Sequence, residues 1–122
     1  MKNCNQILKI ISALIIVVVF ASCEKEYVPA VVGDVSYQAD MQPFFNKSCV
    51  TNCHDGITSF PLNLSEDVSY DNLNTGGYID LANPSNSSLY TKIAPGGSME
   101  VHSSSSETSM TLLWIEQGAK NN

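Results

Sequence analysis

Residues 40–54 are Asp-Met-Gln-Pro-Phe-Phe-Asn-Lys-Ser-Cys-Val-Thr-Asn-Cys-His, and this stretch decides the fold of the chain. Asp40 is a residue type that caps helices, because its side chain can accept hydrogen bonds from the free N–H groups of the first turn. Met41, Phe44 and Phe45 recur at helical spacing and share one face. We therefore expect a helix that buries this face and ends at the first cysteine of the stretch.

The rest of the chain also predicts helices rather than strands. A short helix is expected over residues 69–75, stopped by Gly76 in the left-handed C′ position. Another is expected over residues 83–93, and a longer helix over residues 104–118. The last of these is the clearest, because Ser104 is followed three residues later by Glu107, which together form a capping box. With four short helices and long loops, the sequence predicts a small all-α domain.

The beginning of the chain resembles the export signal of bacterial lipoproteins. An apolar run over residues 10–20 is too short to span a bilayer, which takes ~20 residues. The segment Phe-Ala-Ser-Cys at residues 20–23 is similar to a lipobox, whose cysteine is diacylated and becomes the new N-terminus. This resemblance implies a signal peptide over residues 1–22, a lipid anchor at Cys23 and an extracytoplasmic location on a bacterial membrane. Ordinary secretion with Cys23 as a free thiol is the alternative.

A tether and one domain are predicted after the signal. Residues 23–36 are the expected tether, and residues 37–122 the expected domain. Once residues 1–22 are removed, the chain retains all 12 acidic residues, four lysines and no arginine, so its net charge is −8. This charge disfavours binding to nucleic acid or to anionic lipid, and it favours a partner protein with a basic surface.

The positions of the cysteines indicate that the candidate functional site lies in residues 49–54. Cys4 lies in the signal and Cys23 in the lipobox, which leaves Cys49 and Cys53, with His54 directly after them. Two closely spaced thiols followed by a histidine are the pattern of covalent haem c attachment, in which the thiols add to the haem vinyl groups and the histidine ligates iron. The usual pattern has two residues between the cysteines, whereas this chain has three.

Two other sites are compatible with the same residues. A zinc ion could be held by Cys49, Cys53, His54 and His102, which form a Cys₂His₂ set. Alternatively, Cys49 and Cys53 could form a disulfide in a binding module outside the cytoplasm. Adjacent Cys53 and His54 are poorly placed to chelate one tetrahedral ion, so haem is favoured over zinc.

The order of the motifs resembles class I c-type cytochromes, especially the short domains of bacterial lipoproteins. The resemblance covers about residues 35–120 and rests on five segments in the family's order: residues 41–49, 54–56, 84–90, 97–99 (Gly-Ser-Met) and 114–119 (Trp-Ile-Glu-Gln-Gly-Ala). It implies a cytochrome c-like fold around one covalent haem c, and electron transfer rather than catalysis.

The resemblance also implies roles for individual residues. Cys49 and Cys53 would form the thioethers, and His54 would be the proximal iron ligand. The backbone carbonyl of Pro61 would accept the Nδ1–H of His54 and so fix its tautomer. Because the chain has no arginine, the haem propionates would have to be held by a lysine, a tyrosine or backbone N–H groups.

The distal iron ligand implied by the resemblance is Met99. A thioether sulfur favours ferrous iron, and filling both axial positions suits electron transfer. His102 lies three residues later and is the rival ligand. Met41 and Met110 lie on apolar helical faces and are better explained as core residues. An open distal position would instead suit a haem-based ligand sensor.

Overall fold

The computed structural model describes residues 33–51 and 53–122. This part of the chain contains four helices joined by loops and turns. Helix α1 spans residues 37–50 and is continuous from a π-helical turn (Tyr37–Met41) through an α turn (Gln42–Phe45) to a second π-helical turn (Asn46–Val50). Helices α2, α3 and α4 are Ser69–Thr75, Ser88–Ile93 and Ser105–Glu116, and 3₁₀ turns lie at Pro84–Asn86 and Glu100–His102. No strand occurs in these described residues, and the predicted all-α fold is confirmed.

Helix α1 begins one turn earlier than the sequence predicts. Ser36 is the N-cap, and its hydroxyl accepts a hydrogen bond from the N–H of Ala39 at 3.1 Å. Asp40, the predicted cap, lies inside the first turn, where its Oδ2 accepts the N–H of Ser36 at 2.8 Å. The Ser36 side chain thus caps the N–H of Ala39, and the Asp40 side chain caps the N–H of Ser36, so the helix starts at Tyr37.

The face of α1 predicted to be apolar forms one side of the core. Met41 and Phe45 have no exposed surface, and Phe44 is 4 % exposed. Tyr37 is equally buried and packs with its ring centroid 5.3 Å from that of Trp114. This packing joins the N-terminal end of α1 to α4.

Helix α4 begins with the predicted capping box. The hydroxyl of Ser104 accepts from the N–H of Glu107 at 3.3 Å, and Glu107 Oε2 accepts from the N–H of Ser104 at 2.8 Å. Lys47 of α1 lies 3.2 Å from Glu107 Oε1. Burial raises the pKa of Glu107, but the hydrogen bonds from Ser104 and the charge of Lys47 outweigh it and hold this pKa below its usual value.

The end of α2 turns the chain toward the side of the fold that contains the cysteines. The sequence predicts that Gly76 ends the helix in a left-handed conformation, but the residue with positive φ (+73°) is Gly77, one position later. The N–H of Tyr78 then donates to the carbonyl of Leu73 at 3.2 Å, which completes a Schellman-type cap. This turn fixes the position of Tyr78.

The first described residues are joined to the last ones. Val35 is 2 % exposed, and its N–H donates to Gln117 Oε1 at 2.8 Å. The hydroxyl of Ser36 donates to the carbonyl oxygen of Asn122 at 2.7 Å. The predicted tether, residues 23–36, is therefore too long at its C-terminal end, because Val35 and Ser36 pack against the domain.

The predicted signal and lipidation site cannot be placed in this fold. Residues 1–22 and Cys23 lie outside the described residues. Within residues 33–51 and 53–122, no helix combines the length and the apolar character needed to cross a bilayer.

Candidate cofactor site

A mainly apolar cleft of about 240 Å³ lies between the end of α1, the loop that follows it, α3 and the turn before α4. One face of α3 forms a wall, because Ser88, Leu89, Lys92 and Ile93 recur at helical spacing and all line the cleft. Typical cofactor pockets have volumes of roughly 300–1,000 Å³. This cleft is smaller and partly open to solvent, so a group of cofactor size would be only partly enclosed by it.

The residues predicted to form the haem site line this single cleft. They come from three separate parts of the sequence and are Cys49, Cys53, His54, Pro61 and Met99, together with the rival ligand His102. The structure therefore brings these six residues to one cleft.

The two cysteines are half-buried free thiols, with Cys49 in the last turn of α1 and Cys53 in the turn that follows it. The N–H of Cys53 donates to the carbonyl of Val50 at 3.3 Å, and the N–H of His54 donates to that of Cys49 at 3.0 Å. These bonds fold the chain back, so that both thiols and the imidazole line one cleft. Burial raises the pKa of the Cys49 thiol to about 11, with smaller contributions from Glu107 and Cys53, so this thiol is neutral at pH 7.

The imidazole of His54 is oriented by a backbone carbonyl, as predicted, but by a different residue. Its Nδ1 lies 2.8 Å from the carbonyl oxygen of Leu62, and the prediction of Pro61 is wrong by one position. Leu62 is 9 % exposed and so is fixed by the core, whereas Pro61 is exposed. Because a carbonyl oxygen only accepts, the neutral ring carries its proton on Nδ1 and keeps the Nε2 lone pair for a metal.

A short closed loop follows His54 and places an aromatic ring beside it. Asp55 Oδ1 accepts the N–H groups of Ile57 and Thr58 at 2.9 and 3.1 Å, and these two bonds hold the pKa of Asp55 below its usual value. The ring centroid of Phe60 lies 5.4 Å from that of His54, and Phe60 is 48 % exposed. The sequence carries no signal for this contact between Phe60 and His54.

Met99 is held at the cleft by the Gly-rich turn before α4. Its N–H donates to the carbonyl of Lys92 at 2.8 Å, and its side chain packs partly buried against the core. Gly97 is required in this turn, since a Cβ there would collide with the carbonyl oxygen of Lys92. His102 is exposed, so the two candidate distal ligands differ in how firmly they are held.

The other two methionines that could compete for the distal position are not at the cleft. Met41 has no exposed surface and lies in the core, and Met110 packs partly buried against the same core. Neither residue lines the cleft.

The alternative zinc site is not assembled as a cluster. Its four residues all line the cleft. However, in residues 33–51 and 53–122 no group of three or more histidine, cysteine, aspartate or glutamate side chains is arranged to hold a metal ion.

Comparison with known proteins assigns no family to the chain. It matches no protein-family model, no curated protein and no solved structure. The ligand of the cleft is therefore inferred from the side chains that line it.

Proposed function

We propose that this chain is a membrane-anchored monohaem c-type cytochrome that transfers electrons outside the cytoplasm. The observation that carries the proposal is that Cys49, Cys53 and His54 line an apolar cleft together with Met99. Two thiols, one imidazole and one thioether are the complete donor set of a covalently attached haem with histidine and methionine as axial ligands.

The donor chemistry of the cleft fits haem c. Each cysteine S–H can add across one haem vinyl C=C bond, so attachment releases no leaving group and consumes no oxidant. Both thiols are free, and Cys49 is neutral at pH 7 because burial raises its pKa to about 11. When bound, haem supplies an iron that accepts and donates one electron at a time.

The protein's own residues would orient and tune the iron. The Leu62 carbonyl holds the proton of His54 at Nδ1, which leaves Nε2 as the proximal ligand and makes it more basic. The neutral sulfur of Met99, as the distal ligand, favours ferrous iron and raises the reduction potential. Leu89 and Ile93, both buried, line the cleft and would give the haem an apolar wall.

The location and the partner follow from the sequence and are part of the same proposal. Export through the signal at residues 1–22 and lipidation at Cys23 would hold the domain at an extracytoplasmic membrane surface. The net charge of −8 after residue 22 would favour a redox partner with a basic docking surface.

The proposal is tested by producing the full chain in a host whose cytochrome c maturation is verified with a second cytochrome. We expect a c-type α-band after reduction with dithionite, and haem that stays with the chain on a denaturing gel. Cys49→Ala with Cys53→Ala should remove the covalent haem, whereas Cys23→Ser, the matched cysteine control, should retain it. A colourless wild-type protein in that host would refute the proposal and favour the disulfide module.

A further inference from the structure

Lys92 is the only residue with a fixed charge that lines the cleft in the described part of the chain. No acidic residue lines it, although the chain outside the first 22 residues carries all 12 acidic side chains. Lys92 is exposed, and among the described residues the one ion pair joins Lys47 to Glu107 instead. The cleft therefore combines apolar walls with a single positive charge that has no carboxylate partner.

The position of Lys92 on α3 places its charge at the edge of the apolar wall. Ser88 and Lys92 are four residues apart, as are Leu89 and Ile93, and all four line the cleft. Leu89 and Ile93 are buried, whereas Lys92 is exposed. A lysine in this position packs its aliphatic stem along apolar surface and keeps its ammonium group in water. A group bound against the wall would thus meet a cation where it emerges into solvent.

This arrangement selects the chemistry of the bound group. Apolar walls favour an apolar body, and an unpaired cation at the edge favours an anionic substituent there. The hydroxyl of Tyr78, which also lines the cleft, has no hydrogen-bond partner among the described residues and is a second donor for an anion. A ligand without an acidic substituent would use neither of these groups.

We propose that Lys92 binds a carboxylate of the group held in the cleft and so orients that group's exposed edge. The inference rests on the proposed function, because haem carries two propionate carboxylates as its only acidic substituents. Lys92 is then a positioning residue rather than an iron ligand. Because the pair is exposed to solvent, its effect on affinity is between about 1.5-fold and fivefold and decreases with salt.

The test compares haemin with haemin dimethyl ester, which has the same ring and iron but no carboxylates. The full chain carrying Cys49→Ala and Cys53→Ala, solubilised in detergent, is titrated with each porphyrin and followed by the Soret band, so that covalent attachment cannot obscure affinity. We expect it to bind haemin between about 1.5-fold and fivefold more tightly than the ester at low salt. About 1 M salt should reduce this preference.

Variants in the same background assign the preference to one side chain. Lys92→Gln should reduce the preference for haemin, leaving only the contribution of the Tyr78 hydroxyl, and Lys92→Arg should restore it. Lys120→Gln is the matched control, because it removes the same charge from an exposed lysine that does not line the cleft. A preference that is undiminished in Lys92→Gln, or that is absent in the parent chain, would overturn the inference while leaving the proposed haem site intact. Failure of both porphyrins to bind would refute the proposed function together with it.

Discussion

Truncating Met41 and Met99 to alanine is expected to affect two different properties of the haem-loaded protein, although the chemical change is the same. Met41 is a core residue with no exposed surface and does not line the cleft. Met99 lines the cleft and is only partly buried. The first substitution therefore tests packing, and the second tests iron ligation.

The magnitude for Met41 follows from its complete burial. Replacing a fully buried methionine with alanine costs ~2–5 kcal/mol, because it loses transfer free energy and leaves a cavity. A domain of this size has a free energy of unfolding of roughly 5–13 kcal/mol, and each kcal/mol corresponds to about 4–8 °C in Tm. We expect Met41→Ala to lower the Tm by at least ~8 °C, measured by circular dichroism, and to leave the haem spectrum unchanged.

Met99→Ala should change the spectrum instead. Low-spin ferric haem with a sulfur ligand has a weak far-red charge-transfer band, and loss of the sulfur removes this band and lowers the reduction potential. His102→Ala should retain the band. If Met99→Ala retains the band and His102→Ala alters the spectrum, the distal ligand is His102 and our assignment is wrong. If the wild-type protein binds CO freely, the distal position is open and a ligand sensor becomes the better interpretation.

Three further predictions concern other parts of the molecule. Cys23→Ser should move the protein from the membrane fraction to the soluble fraction, because it removes the proposed acylation site; unchanged retention would contradict the lipid anchor. Folding lowers the pKa of Glu107 from its usual value of 4.5, so the ionised side chain stabilises the folded state above pH 4.5. This stabilisation is lost as the pH falls below 4.5 and the side chain becomes protonated. In Glu107→Gln, the free energy of unfolding from denaturation curves should therefore fall less between about pH 5 and pH 3 than in the wild type. If Glu116→Gln, which changes an exposed glutamate, has the same effect, the lowered pKa of Glu107 is not the cause. Because the pKa of Cys49 is raised to about 11, its alkylation at pH 8 in the folded haem-free chain should be roughly 100-fold slower than in the urea-unfolded chain. Equal rates would show that burial does not protect this thiol.

Features of the fold that depend on neighbouring residues in sequence could be predicted. The capping box of Ser104 and Glu107 is one such feature, because its partners are three residues apart. The buried face of α1 is another, since helical spacing alone defines it. The start of α1 lies one turn before the predicted cap, because Ser36 caps the N–H of Ala39 while Asp40 caps the N–H of Ser36 from inside the first turn.

Features of the site that depend on the path of a loop could not be predicted to the residue. The carbonyl that accepts the Nδ1–H of His54 belongs to Leu62 and not to Pro61, because Leu62 is the residue buried in the core. No local sequence signal indicates which of the two residues is buried. The contact of Phe60 with His54 has the same origin. The sequence leaves every lysine and tyrosine as a candidate to bind the haem propionates. Lys92 is singled out only by the position of α3, which lines the cleft.

The junction between the first described residues and the C-terminus determines how the domain would bear force. A pull transmitted along residues 23–32 would reach Val35 and Ser36 first, and their hydrogen bonds to Gln117 and Asn122 would take the load. The end of α4 would share that load, while the loops around His54 and Met99 lie outside this direct route.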